Sequence, residues 1–179
     1  NADFNGAQQE GAGAYQVTQK NGERWSRARA FLRPAMDRPN LTVLTGAHVT
    51  RVVFSGRQAV GVEFQHQGER KSFEVEREVV LSGGAINSPQ LLMLSGIGPA
   101  DDLRRVGVEV LCDVPGVGAN LQDHLDVTTL QHCRQPISYD RASEVKTAFD
   151  YFLRGRRGPG TSNVAEGAGF ARSSLAPDA

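Results

Sequence analysis

Residues 82–98 read SGGAINSPQLLMLSGIG, and this stretch decides the fold. The run before it, REVVLS (77–82), is apolar and β-branched, which suits a buried strand. Gly83 and Gly84 follow at once, Ser88 stands where an N-cap belongs, and Pro89 stands where a first helical residue belongs. Leu91, Leu92 and Leu94 then supply an apolar stripe, and Gly96 stops the helix. A strand that ends on two glycines and restarts as a helix has two explanations. The turn is simply tight, or a ligand lies against a backbone stripped of Cβ atoms, with the free N–H groups of the helix start turned toward it. The pattern is neither GxGxxG nor a P-loop, because no Gly-Lys-Ser/Thr follows.

Working outward, the segment before this unit is a series of short β-type runs separated by Gly turns: LTVL (41–44), HVTRVVF (48–54), QAVGVEF (58–64), KSFEV (71–75) and finally 77–82. Such a series predicts an antiparallel meander, with the least polar run, 77–82, the most central. Ser26 is a cap candidate for a helix through SRARAFLRPAM (26–36), in which Ala28, Phe31, Leu32 and Ala35 share one face and Pro34 distorts the last turn. A second helix is predicted from Pro99, with Asp101 and Asp102 in its first turn and Arg104 and Arg105 in its last. Beyond it come a strand and Gly/Pro turn at 108–118, a strand at 128–133 and an amphipathic helix near 142–153. The fold class is therefore α/β in the broad sense, with α and β units mixed (α+β).

Composition narrows the function classes. The 179 residues carry 20 Lys and Arg against 20 Asp and Glu, a formal net charge of zero with no dense basic block, which argues against a nucleic-acid partner. No apolar run approaches the roughly 20 residues of a membrane span. The first residues lack the pattern of a signal peptide, so the expectation is a cytoplasmic protein. Cys112 and Cys133 form no CxxC and are expected to be reduced thiols rather than zinc ligands. His48 and His66 sit in or beside β-type runs, and His132 follows one; all three read as ordinary surface or edge residues.

The residues at 84–98, GAINSPQLLMLSGIG, resemble the second signature of the glucose–methanol–choline (GMC) family of flavin oxidoreductases: a small residue, a Ser/Thr-Pro/Ser pair, paired aliphatics, then Ser-Gly-aliphatic-Gly. RPNLTVLTGAHVTRVVF (38–54) resembles the stretch that precedes this signature, and GVGANLQDH (116–124) the block that follows it. The N-terminal 36 residues resemble the bacterial choline-dehydrogenase-like and alcohol-dehydrogenase-like branch. The resemblance implies FAD as cofactor and a FAD/NAD(P)-binding-type domain containing the β-meander, plus pieces of an antiparallel-sheet substrate domain. It assigns residues 37–125 to the former and residues 1–36 and 126–179 to the latter. It also implies three main-chain contacts to the cofactor: Val49 with the adenine, and Gly83 and Gly84 alongside the dinucleotide.

Two family features do not occur in these residues. There is no GxGxxG unit, and the family's catalytic His belongs near the C-terminus of a much longer chain, so the expectation is an internal portion of a flavoenzyme. No catalytic residue is assigned; His124 beside Asp123 reads as a structural hydrogen-bonding residue. Ser88 reads as a helix cap or a phosphate contact, Asn120 and Asp123 as residues that order a loop near the flavin, and Tyr15 and Trp25 as core. The implied reaction is oxidation of a small primary alcohol to an aldehyde with hydride transfer to flavin, the electron acceptor being unspecified. The twelve aromatic residues show no cluster suited to a quaternary ammonium, which favours a general alcohol over choline. Unpaired strand edges lead us to expect self-association. The alternative is a non-catalytic nucleotide-binding module or interaction protein built on the same fold.

Overall fold

The computed structural model describes residues 1–3, 5–132, 134–135 and 138–175. It divides into two compact units, one formed by 1–42 with 129–179 and the other by 43–128.

The first unit begins with strands β1 (Gly11–Ala14), β2 (Gln19–Lys20) and β3 (Glu23–Arg24), the last two forming a small hairpin. A π-helical turn (Ala28–Leu32) then runs into the short helix α1 (Arg33–Ala35). Here the structure departs from the single helix expected over 26–36. Pro34 has no N–H to give to the carbonyl four residues back. The preceding amide, Arg33, reaches five residues back to the Ala28 oxygen, so the distortion occupies the helix and not only its last turn. Phe31 on the predicted apolar face is 73% exposed.

The second unit holds the meander. Strands β4 (Ala47–Ser55), β5 (Gln58–His66) and β6 (Glu69–Glu74) pair antiparallel in the order β4-β5-β6 through two-residue turns. Phe64 in the central strand is 2% exposed and stacks on Phe73 of β6 at 5.0 Å between ring centroids. Helix α2 (Gly84–Leu94) follows, then a two-residue strand β7 (Ile97–Gly98), helix α3 (Ala100–Arg105) and strand β8 (Cys112–Asp113), which pairs parallel with β7. Leu103, 2% exposed, and Ala100 on α3 are buried, as is Val52 of β4. Pro99 precedes α3 and has no side chain to cap it. Asp113 takes that role, its Oδ1 accepting from the Ala100 N–H at 3.0 Å. The Asp101–Arg104 and Asp102–Arg105 pairs on the same helix are exposed and contribute at most about 0.5 kcal/mol each.

Two predicted strands of this region are absent. Residues 41–44 and 77–82 belong to no strand, and among the described residues no hydrogen bond ties the backbone of 76–82 to another segment. A β-rich composition makes a strand only where a neighbour completes the ladder. Val80, expected in the most central strand, is 74% exposed.

The first unit closes with a 3₁₀ turn (Tyr139–Arg141), helix α4 (Glu144–Phe152), a second 3₁₀ turn (Pro159–Thr161) and strand β9 (Gly167–Phe170), which pairs antiparallel with β1. Ser143 caps α4 by accepting from the Lys146 N–H. Glu23 binds Arg29 and Arg156 at once, and Gln19 donates to the Thr161 carbonyl, so the β2–β3 hairpin is tied to a segment more than 130 residues away. Residues 128–132 carry no strand, and Cys133, the last residue of that expected run, lies outside the described residues. Cys112 carries a free, exposed thiol. No helix among the described residues is long and apolar enough to cross a membrane.

Candidate functional site

The three residues singled out as cofactor contacts all belong to the second unit. Val49 lies in β4, the edge strand of the meander. Its main-chain direction follows from the register. The Val75 N–H donates to the Val60 carbonyl across β5 and β6, so over residues 60–66, beyond a second irregularity at Val53/Phe54, even-numbered residues of β5 bond toward β6 and odd-numbered ones toward β4. Val49 is opposite Phe64 and Val52 is opposite Val62, both even, so both residues of β4 turn their N–H and C=O away from β5. They share this direction although three positions apart because Thr50 is an extra residue, a β-bulge between Val49 and Arg51. Thr50 Oγ1 donates to the Glu63 carbonyl and steadies the irregularity.

Among the described residues, Val49 thus offers a free main-chain donor and acceptor side by side on the edge of the meander. That edge borders a groove of about 600 Å³, whose walls include Val49, Leu81, Gly83, Asn87, Ser88 and Leu91. A cavity of this size is in the range of small-ligand sites. Val49 and Gly83 therefore line one groove. Gly84, the first residue of α2, lines neither this groove nor the one on the other face of α2.

The two glycines differ in what they require. Gly84 has φ +87, and a Cβ built there would meet nothing within 4 Å. Its backbone angle alone demands glycine, with or without a ligand. Gly83 has an ordinary φ, but a Cβ there would stand 3.1 Å from the Asn87 Cβ and 3.3 Å from the Ser88 nitrogen. Here the helix's own first turn leaves little room.

Ser88 is not the N-cap. The helix starts five residues earlier than the sequence suggested, and Pro89 lies inside it. The hydroxyl of Ser88 reaches back to accept from the Gly83 N–H at 3.0 Å, closing the entry of the helix from within. At the other end, Ser95 is buried, donates to the Leu91 carbonyl at 2.6 Å and accepts the outward N–H of Val52 at 2.9 Å. Sequence reasoning missed this bond; its partners are 43 residues apart, and only the Ser-Gly-Ile-Gly stop hinted at the position.

A second groove, about 710 Å³, lies on the other face of α2 and is lined by Ile86, Pro89, Met93, Ala119 and Leu121. Asn120 has φ 56 and accepts from the Gln122 side chain, while Asp123 accepts from the His124 N–H. His48 borders the first groove, and His66, His124 and His132 do not. No group of three His, Cys, Asp or Glu among the described residues is arranged to hold a metal.

In the first unit, Tyr139 and Glu166 are hydrogen-bonded, and Ser162 bonds to both. The bond from Tyr139 holds the Glu166 carboxyl below its ordinary range, helped by Ser162, and the same bond raises the Tyr139 phenol above its ordinary 10.0, offset in part by Ser162. Raising the phenol favours its neutral form in the fold, so that contribution is present below the ordinary phenol value and lost as pH rises through the raised one. The Glu166 contribution has the opposite sense, present above the ordinary carboxylate value and lost as pH falls through the lowered one. Ultraviolet titration of the protein against Tyr139→Phe should show Tyr139 as a late-ionising phenol, and Glu166→Gln should bring it earlier. An unchanged titration in Glu166→Gln would contradict the assigned bond.

Residues 1–126 match the family model described as GMC oxidoreductase. The chain is 48% identical to an alcohol dehydrogenase (acceptor) of Pseudomonas putida over 188 aligned residues, 97% of this chain and 33% of the relative. It is 55% identical to the mitochondrial choline dehydrogenase of Mus musculus over 142 residues, 79% of this chain and 24% of the relative. It thus spans about a third or less of the length of these relatives. A solved fungal aryl-alcohol oxidase is similar in structure with a TM-score of 0.75 and 27% identity, covering 88% of this chain and 28% of that one. The meander with its bulged edge, the glycine entry to α2 and the Ser-Gly-Ile-Gly exit all fall inside the matched residues: this chain belongs to the GMC oxidoreductase family.

Proposed function

We propose that the protein is an FAD-dependent oxidoreductase that oxidises a small primary alcohol to an aldehyde, and that residues 43–128 hold the adenine end of the cofactor. The observation that carries this reading is the outward N–H and C=O of Val49 on the rim of the groove. A donor and an acceptor on one main-chain edge match the ring nitrogen and amino group of a purine. The residues present fit this part of FAD: the groove is open on the β4 edge, Gly83 adds no side chain to it, and Leu81 and Leu91 give it apolar walls. Bound FAD would supply the hydride acceptor for the alcohol carbon.

On this reading residues 37–125 are the cofactor-domain segment, and 1–36 and 126–179 are substrate-domain segments. Val49 contacts adenine through its main chain, and Gly83 and Gly84 let the chain pass close to the dinucleotide. Both kinds of relative, alcohol and choline dehydrogenases, support an alcohol substrate. A general alcohol is preferred because the twelve aromatic residues show no cluster in the sequence suited to a quaternary ammonium. The unpaired backbone of 76–82 is consistent with self-association through a strand edge.

The test is to express the protein from its complete coding sequence, record its flavin absorption, and add primary alcohols and choline without oxygen. Bleaching by simple primary alcohols in preference to choline is the expected result. A protein that takes up no FAD would overturn the cofactor reading, and one that binds FAD but is bleached by neither would overturn the reaction.

A further inference from the structure

We propose that Ser95 is a positioning residue for the adenine end of the cofactor. The inference rests on the reading of Val49 given above. The groove has two walls, β4 with Val49 and α2 with Asn87, Ser88, Leu91 and Leu94. Ser95, next in the chain after Leu94, joins them. Its single hydroxyl hydrogen goes to the Leu91 carbonyl on α2, so toward β4 the oxygen acts as an acceptor and takes the Val52 N–H. The residue is 8% exposed, so neither partner readily exchanges this bond for water.

Val52 and Val49 present their amides on the same edge only because of the bulge at Thr50. Bulges on an edge strand can shift by a residue, and a shift turns amides from one side to the other. Moving the extra residue past Val52 would turn its N–H into the β4–β5 ladder and break the bond to Ser95. Ser95 therefore opposes that register and sets how far the edge of β4 stands from α2. Removing the hydroxyl frees β4 to move against α2 and leaves the Val49 donor and acceptor less well placed for a purine.

The experiment uses apoprotein from the complete coding sequence, with FAD and with flavin hypoxanthine dinucleotide, in which an oxo group replaces the adenine amino group and the ring nitrogen becomes a donor. Equilibrium binding is read by quenching of flavin fluorescence, beside thermal unfolding. The wild type is expected to prefer FAD by about 10-fold, the size of one well-made hydrogen bond. Ser95→Ala is expected to reduce that preference to about 2- to 3-fold, and Ser95→Thr, which keeps the hydroxyl, to restore it. A role limited to stability would weaken both ligands in parallel and leave their ratio intact. If Ser95→Ala does not fold, Ser95→Cys carries the same test, because its sulfur is a poor acceptor of similar size. A wild type without preference would overturn the Val49 reading itself. A preference retained in Ser95→Ala or Ser95→Cys would overturn only the positioning role of Ser95, as would a folded Ser95→Thr that loses it.

Discussion

Gly96→Ala is expected to cost about 3–4 kcal/mol of stability. Two independent terms combine there. The residue has φ +87, where an L side chain pays about 1–2 kcal/mol for crowding its own carbonyl. A Cβ would also stand 2.6 Å from the Glu109 carbonyl oxygen and 3.1 Å from the Leu111 nitrogen. Those neighbours have little freedom to move, since the Gly96 carbonyl accepts from both the Leu111 and the Cys112 N–H at 2.8 and 3.0 Å and so leads into the β7–β8 pairing. Gly107 is the control. Its φ is +77, but a Cβ there would meet nothing within 4 Å. Gly107→Ala should therefore lose only the conformational part, about 1–2 kcal/mol. In a thermal melt, the Gly96 variant should unfold about 10 °C lower than wild type. Equal losses in the two variants would show that the contact with 109–111 is not tight.

The same region shows what a linear chain discloses and what it withholds. The hairpins between β4, β5 and β6 were legible because alternation and Gly turns are local signals. The class of the α2 segment was legible for the same reason, but not its start. Ser88-Pro89 looks like a cap followed by a first residue, yet the positive φ of Gly84 lets the chain turn into the helix sooner and leaves Ser88 to bond backward to Gly83. The runs at 41–44 and 77–82 have strand composition and no strand, because pairing depends on a neighbour that composition cannot reveal. At the site, Val49 and Gly83 were named from a family likeness, and the structure gathers them on one groove while leaving Gly84 outside it. The direction of the Val49 amide was beyond sequence reasoning, since it depends on one extra residue in a strand that otherwise alternates regularly. Ser95 was beyond it too, because its partner on β4 is distant in the chain.

That extra residue makes a main-chain role open to mutation, which is uncommon. Val49→Pro removes the outward N–H and nothing from the β4–β5 ladder, because the Val49 N–H does not face β5. Proline is tolerated on an edge strand when its missing donor points away from the partner, and His48 before it is already in a strand, the conformation a residue preceding proline prefers. The stability change should stay within about 1–2 kcal/mol. If the Val49 amide donates to the adenine ring, the variant leaves that nitrogen unpaired in the groove, and the affinity of the apoprotein for FAD should fall by about 10- to 100-fold. Val49→Ala keeps the whole main chain and trims a side chain that is already 37% exposed, so its affinity should change by less than about 3-fold. The contrast between the two substitutions separates a backbone contact from a side-chain one. Equal losses would mean that the valine side chain, not its amide, meets the ligand. No loss in Val49→Pro would mean that FAD does not use this edge of β4, and the groove would then need another occupant.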